Sequence, residues 1–398
     1  MRILVVSQYY FPENVVISSI ARELVQRGHK VSVITGQPNY GFGKILEGYE
    51  NLKVEDIDGV TVYRMPLSPR GKSKFSLIKN YLSFYRSSTR FIKHFKEEFD
   101  LVYSMSLSPL ISVSAANIYA KKHHVPHYLH VLDLWPESPV ATGAIRKCSL
   151  AYFGLYHWSR SIYKKANKIL ISSPSFENYF HDVLKMSNAS IEFVPQPALI
   201  GKDADPFLYS EGFNLVYVGN VGSLQLIENV VKAIGLLPST EGFYFHMIGD
   251  GSRIQEVLKL VNDLDLDEVV FYHGRKDNSE VSRYQLGADA LLVSLKQESS
   301  PVSKTIPNKL ISSLYFAKPI LGCIKGDGRT ILEAAKGSVL CNDDTPKEIA
   351  EGLSKLLKLS KEKRKVMGQN NAKYYEDNFD FSKVIDHLEQ VFISVKKD

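Results

Sequence analysis

Asp133 is the residue whose neighbours best equip it for chemistry. It stands in His130-Val131-Leu132-Asp133-Leu134-Trp135-Pro136-Glu137-Ser138, at the carboxyl end of an apolar run that reads as a strand. An α/β sheet presents ligand-facing groups at that end of its strands. A carboxylate there can hold a substrate hydroxyl or move a proton. The plainer reading is a turn or capping aspartate ahead of a proline. His130 alternates onto the other strand face, so at most one of the two faces a ligand. A lone strand histidine is more often packed than catalytic, and Asp133 is the catalytic candidate.

A second set of candidates repeats one pattern. Gly219-Asn220-Val221-Gly222-Ser223, Gly249-Asp250-Gly251 and His273-Gly274-Arg275 each follow a strand-like run. Glycines at a strand-to-helix junction can expose backbone N–H groups to an anion, although plain turns look the same. Three such junctions favour a phosphate-handling rim. Ser299 to Lys309 then opens a helix with small hydroxyl residues and two lysines, Lys304 and Lys309, a combination suited to a diphosphate. By contrast, Gln8-Tyr9-Tyr10-Phe11-Pro12-Glu13-Asn14 follows the first strand in place of a glycine fingerprint, which counts against a standard NAD-dependent oxidoreductase. Thr35 to Gly41, after the second strand, reads on its own as a turn-rich loop.

The elements that must position these residues alternate over almost the whole chain. Arg2–Ser7, Lys30–Thr35, Leu101–Ser104, His127–Leu132, Ile169–Ser172 and Ile191–Val194 read as strands, with amphipathic helices at Val16–Gly28 and up to Lys122. Pro195 to Pro206 lacks periodicity and reads as a linker. A second series follows, with strands at Asn214–Val218, Phe243–Ile248, Val269–Tyr272, Ala290–Ser294 and Ile320–Cys323, and helices between them and after Pro346. The expected fold class is α/β, with two Rossmann-like, doubly wound parallel-sheet domains facing a central cleft. The expected boundaries are 1–200, 201–375, and a final helix at 376–398 that packs back toward the first domain.

With 398 residues, 44% hydrophobic and 23% charged, the chain has the size and composition of two globular domains. Its net charge of +6 is too balanced to announce a nucleic-acid binder. The 3 cysteines are far apart and form no CxxC pair, which excludes a disulfide framework or zinc site of the usual spacing and points to a reducing compartment. No apolar run approaches the ~18 residues of a membrane span, and the first residues read as a strand, not a signal peptide.

In order along the chain, QYYFPEN, TGQPNYGFGKILEGY, DLWPES, YVGNVGSLQ, IGDGSR, ADALLVSL and PNKLISSLYFAKPIL together resemble family-four glycosyltransferases of the GT-B fold. They are most similar to the branch of cell-surface polysaccharide enzymes that includes N-acetyl-L-fucosamine transferases. The resemblance implies a retaining, metal-independent transferase. Its donor would be a UDP-sugar carrying an N-acetylated hexose or a 6-deoxyhexose, and its acceptor a polyprenyl-pyrophosphate-linked glycan of O-antigen or capsule synthesis. It implies donor binding by Gly219, Asn220, Gly249, Arg275, Lys304, Thr305, Lys309 and Ser312, and acceptor binding by Pro12, Glu13, Asn39, Tyr40, Trp135 and Glu137. No metal site and no cofactor beyond the donor are implied. Two departures stand out. The family's arginine and lysine after the first strand of the second domain are here Asn220 and Gln225. Its spaced glutamate pair falls at Lys304 and Ser312, which puts the ribose contact in doubt; Glu298 could instead reach the sugar or ribose.

Bases and aromatics interleave from Arg64 to Lys96 (Arg70, Lys72, Lys74, Phe75, Lys79, Tyr81, Phe84, Tyr85, Arg86, Arg90, Phe91 and Lys93) and again from Arg146 to Lys168. Such helices bind anionic membrane surfaces, or else pack their rings inward and solvate their bases. With the resemblance, they imply a cytoplasmic protein peripheral to the inner face of the membrane and no nucleic-acid partner. The alternatives are a UDP-sugar 2-epimerase of the same fold and a non-catalytic scaffold homologue.

Overall fold

The computed structural model describes residues 1–398 except 42, 72, 199, 201–203, 297–304 and 395–398. The chain forms two compact units, Met1–Gln196 with Ser382–Asp398, and Pro197–Phe381.

Unit 1 contains β1 (Arg2–Val6), α1 (Val16–Gln26), β2 (Lys30–Gly36), β3 (Val54–Ile57), β4 (Val60–Met65), α2 (Lys74–His94), β5 (Leu101–Ser106), α3 (Ser114–His123), β6 (His127–Val131), α4 (Glu137–Ala141), α5 (Leu150–Tyr163), β7 (Lys168–Ile171), α6 (Phe176–Asn178) and β8 (Ile191–Phe193). Its sheet runs β3-β4-β2-β1-β5-β6-β7-β8, parallel throughout except for the β3–β4 hairpin. The inner strands are apolar on both faces because helices cover both sides: all six residues of β5 and all five of β6 are buried. Helix α1 buries Val16, Ile17, Ile20, Ala21 and Leu24, the spacing of one helix face. Gly28, at φ +86°, turns the chain out of it.

Unit 2 contains β9 (Phe213–Val218), α7 (Ile227–Gly235), β10 (Phe243–Ile248), α8 (Ile254–Asp263), β11 (Val270–Tyr272), α9 (Asn278–Gly287), β12 (Ala290–Ser294), α10 (Asn308–Tyr315), β13 (Ile320–Cys323), α11 (Gly326–Ala335), β14 (Ser338–Leu340), α12 (Pro346–Leu357) and α13 (Lys361–Asn378). Its six-stranded sheet, β11-β10-β9-β12-β13-β14, is wholly parallel. Pairing of β13 with β14 brings Cys323 and Cys341, 18 residues apart, to a Sγ–Sγ distance of 3.1 Å as buried free thiols.

The last helix, α14 (Phe381–Ser394), joins unit 1 from Ser382 onward. Arg27 donates to Asp386 (2.5 Å) and Glu389 (3.0 Å), His29 meets Glu389 at 2.8 Å, and Phe392 packs 5.2 Å from the Tyr103 ring.

In each sheet the first strand of the unit lies inside, and crossovers leave it in both directions: β1 sits between β2 and β5, and β9 between β10 and β12. Such a switch point opens a crevice at the carboxyl ends of the strands. The candidate residues gather there.

Candidate functional site

In unit 1 the chain leaves β6 and reaches Asp133 two residues later. Its Oδ2 accepts from the Ser108 backbone N–H (3.2 Å) and hydroxyl (2.9 Å), and the Trp135 indole donates to the same hydroxyl at 3.1 Å. Ser108 follows β5, so two neighbouring strands fix one carboxylate. Burial pushes the Asp133 carboxyl above its usual range, opposed by the two Ser108 donors. His130 has a structural role. Its imidazole is fully buried between the Tyr103 hydroxyl (2.8 Å) and the Val194 carbonyl (2.9 Å), and burial lowers its pKa to about 4.

Glu13 and Glu137 differ from the expected acceptor contacts. Glu13 is 4% exposed. Its carboxylate accepts the backbone N–H groups of Tyr10 (3.3 Å), Asn39 (2.8 Å) and Tyr40 (2.7 Å), so it ties the loop after β2 to the loop after β1. Glu137 is buried against the hydroxyls of Tyr152 (2.7 Å) and Tyr179 (3.4 Å). Asn39 is fully buried, and its side-chain oxygen accepts from Asn80 and from the Arg70 backbone, each at 3.0 Å. These residues build the crevice wall. Tyr40 is 47% exposed; Pro12 and Trp135 are half-buried.

Sequence patterns missed four members of this wall. Gln8 donates to Asn80 at 2.8 Å, which joins the loop after β1 to α2. Arg70 donates to the Tyr9 hydroxyl at 3.2 Å and stacks 4.9 Å from the Tyr40 ring centre. Tyr81 lies within electrostatic reach of both Arg70 and Asp133. The polar positions within α2, Asn80 above all, were the available signal.

In unit 2 the glycines at the strand ends serve close packing. A Cβ on Gly249 would lie 2.0 Å from the Gly219 carbonyl oxygen, and one on Gly251 would lie 2.2 Å from that of Val221. The N–H groups of Gly219, Val221 and Gly249 are spent on Ile248, Asp250 and Gly274, and those of Gly222 and Gly251 on the side chains of Gln225 and Asp250. These five N–H groups therefore brace neighbouring loops. Asn220 and Gln225 bond to one another at 3.2 Å and belong to that brace.

Positive charge is left to side chains. Lys309, in the first turn of α10, donates to the Ser294 carbonyl (2.7 Å) at the end of β12 and to the Tyr217 hydroxyl (3.3 Å) on β9. Its ammonium lies 4.7 Å from the Tyr217 ring centre. No carboxylate pairs with it among the described residues, and burial pushes its pKa down to about 7. Arg275 is exposed after β11 and likewise has no acidic partner among the described residues. Thr305 is half-buried before α10, and the Ser312 hydroxyl bonds back to the Lys309 carbonyl at 3.1 Å. Lys304 and Glu298 lie outside the described residues.

Residues 13–197 match the glycosyl transferase 4-like domain and residues 202–374 match the glycosyl transferases group 1 domain. The chain belongs to the glycosyltransferases of this family-4 type, with the GT-B class of fold. An uncharacterized glycosyltransferase of Methanocaldococcus jannaschii is 22% identical over 372 residues, covering 89% of each chain. Among solved structures, sucrose-phosphate synthase from Thermosynechococcus elongatus is similar with a TM-score of 0.78, 14% identity and coverage of 100% of this chain and 99% of that one. HepE from Anabaena, in complex with UDP and glucose, matches with a TM-score of 0.68, 12% identity and coverage of 99% and 100%. WaaG, a glycosyltransferase involved in lipopolysaccharide biosynthesis, matches with a TM-score of 0.70, 14% identity and coverage of 98% and 99%.

Proposed function

We propose that the protein transfers an N-acetylated hexose or a 6-deoxyhexose from a UDP-sugar to a hydroxyl of a lipid-linked surface glycan, with retention at the anomeric carbon. The observation that carries this reading is Lys309, a cation without an acidic partner among the described residues, held at the strand ends of unit 2. A diphosphate supplies the missing negative charge. The UDP bound to HepE and the lipopolysaccharide role of WaaG support the choice of donor and acceptor class.

In the proposed reaction the acceptor oxygen bonds to the anomeric carbon as the bond from that carbon to the β-phosphate oxygen breaks. The acceptor's proton passes to the leaving oxygen on the same face, and UDP departs. Negative charge grows on the diphosphate during this step. Lys309 and Arg275, already in place, stabilise it more in the transition state than in the ground state, the part that a metal ion plays elsewhere. Asp133, fixed by Ser108 and Trp135, holds a sugar hydroxyl in unit 1.

The membrane part of the reading rests on α2. An open groove of about 850 Å³ runs between α2 and the β3–β4 hairpin, lined by Val54, Phe75, Ile78 and Leu82 with Lys53, Lys79, Arg86 and Arg90 among them, and no Asp or Glu lines it. Phe75 is 77% exposed and Ile78 55%. The set differs from the sequence pattern: Phe84 points into the core, and Arg64 is buried in an ion pair with Glu55. Exposed apolar side chains ringed by cations that have no acidic partner among the described residues suit an anionic lipid surface, at ~1 kcal/mol per cation near the headgroups. Among the described residues no helix is long and apolar enough to cross a membrane.

The test is transfer of label from a panel of UDP-sugars to extracted polyprenyl-linked glycans in EDTA. One productive UDP-sugar is expected, with activity reduced about 100-fold or more in Asp133→Asn. Turnover of the donor to an epimer without acceptor would overturn the reading.

A further inference from the structure

Arg70 is half-buried in the segment between β4 and α2, where an arginine ordinarily finds a carboxylate. Among the described residues it finds none. Instead its Nη1 donates to the Tyr9 hydroxyl at 3.2 Å, and its guanidinium lies over the Tyr40 ring, 4.9 Å from the centre. The Tyr9 and Tyr40 rings stand 5.1 Å apart. Tyr81 reaches the same charge from the side of α2.

The backbone that carries this side chain is also held in advance. The Arg70 backbone N–H donates to the Asn39 side chain, which Asn80 grips from α2, while Gln8 grips Asn80 from the loop after β1. The next residue, Gly71, donates to the Ser76 hydroxyl at 2.7 Å. The loop after β2, α2 and the loop after β1 therefore fix the backbone at Arg70, and among the described residues its guanidinium donates to the Tyr9 hydroxyl alone. A planar fork that is already immobile loses little freedom when it takes a phosphate through two parallel bonds.

We propose that Arg70, with the Tyr9 hydroxyl and the face of the Tyr40 ring beside it, is a phosphate-binding subsite for the acceptor. The inference rests on the acceptor reading given above and deepens it: unit 1 grips the acceptor by a phosphate group as well as by its sugar. A tetrahedral phosphate offers more acceptor directions than a carboxylate, and a guanidinium fork beside a phenol hydroxyl can fill several of them.

Inorganic pyrophosphate is the probe. Calorimetric titration is made on the full chain with Lys309→Met, which removes the lysine proposed for the donor diphosphate, and on the same chain with Arg70→Gln or Arg70→Lys added. Arg70→Gln should weaken pyrophosphate about 10-fold or more, and Arg70→Lys should recover only part of that, since it restores charge without the fork. Arg70→Gln alone should leave the thermal shift given by UDP unchanged, which also reports that the variant folds. Equal pyrophosphate affinity in all three chains, with the UDP shift intact, would overturn the subsite while sparing the transferase reading. Absence of any UDP shift in the unmodified protein would strike at the transferase reading itself.

Discussion

Lys309 carries an internal conflict between its charge and its burial. Its ammonium sits among a carbonyl, a phenol and apolar atoms, and burial lowers its pKa from 10.5 to about 7. Folding thus favours loss of this proton. Between about pH 7 and 10.5 the unfolded chain holds a proton that the folded chain has released, so this group's contribution to stability rises with pH across that window. Below it, the folded protein bears the full cost of a buried charge. Lys309→Met should therefore stabilise the nucleotide-free protein near pH 6, on the order of 1–3 kcal/mol, with the gain shrinking toward pH 10. Urea denaturation at a series of pH values measures it. A loss of stability at every pH would show that the protein itself satisfies the ammonium. Lys309 and Asp133 stand out in the sequence because each lies a step from a strand or helix boundary. The capping role of Glu13 was not legible, because an acid that captures three backbone N–H groups looks in sequence like one that waits for a ligand. Arg70 was hidden for the opposite reason: its partners Tyr9 and Tyr40 come from other loops, and its own neighbours in sequence suggested a surface helix.

At the scale of elements, the strand-end glycines of unit 2 act by letting backbones touch. Gly249 has φ +138°, and its missing Cβ would overlap the Gly219 carbonyl oxygen at 2.0 Å. Gly249→Ala should cost about 3 kcal/mol or more in urea denaturation and weaken nucleotide binding with it, since the loop carrying Asn220 must move. Gly28→Ala is the comparison. That glycine also has positive φ (+86°) but open space around it, so its cost should stay near ~1 kcal/mol. Similar costs at both sites would remove the close-approach explanation. The inner parallel strands of both sheets were readable as apolar runs because helices bury both their faces, whereas the half-buried edge strand β14 was not. The β3–β4 hairpin was not, because Val54–Ile57 is a polar edge strand with a half-exposed pattern. Its signal was the Asp58-Gly59 turn, whose φ values of 55° and 80° are those of a tight hairpin.

For the molecule as a whole, a net charge of +6 said little, since what matters is where unpaired cations lie. Around the α2 groove they surround exposed Phe75, Ile78 and Leu82. Replacing all three with serine should lower binding to vesicles containing anionic phospholipid about 10-fold or more, with UDP binding unchanged. Cosedimentation measures this, and undiminished binding would move the membrane contact elsewhere. The two-unit organisation was legible from the break in periodicity after Val194.

The most direct test of the account is calorimetric titration of UDP into the full-length protein in EDTA, alongside Lys309→Met. The account predicts saturable UDP binding without divalent metal, weakening as pH rises above about 7 and falling at least ~10-fold in the variant. UDP binding that is equal in the two proteins, or absent from both, would contradict the claim that Lys309 holds the diphosphate of a sugar donor.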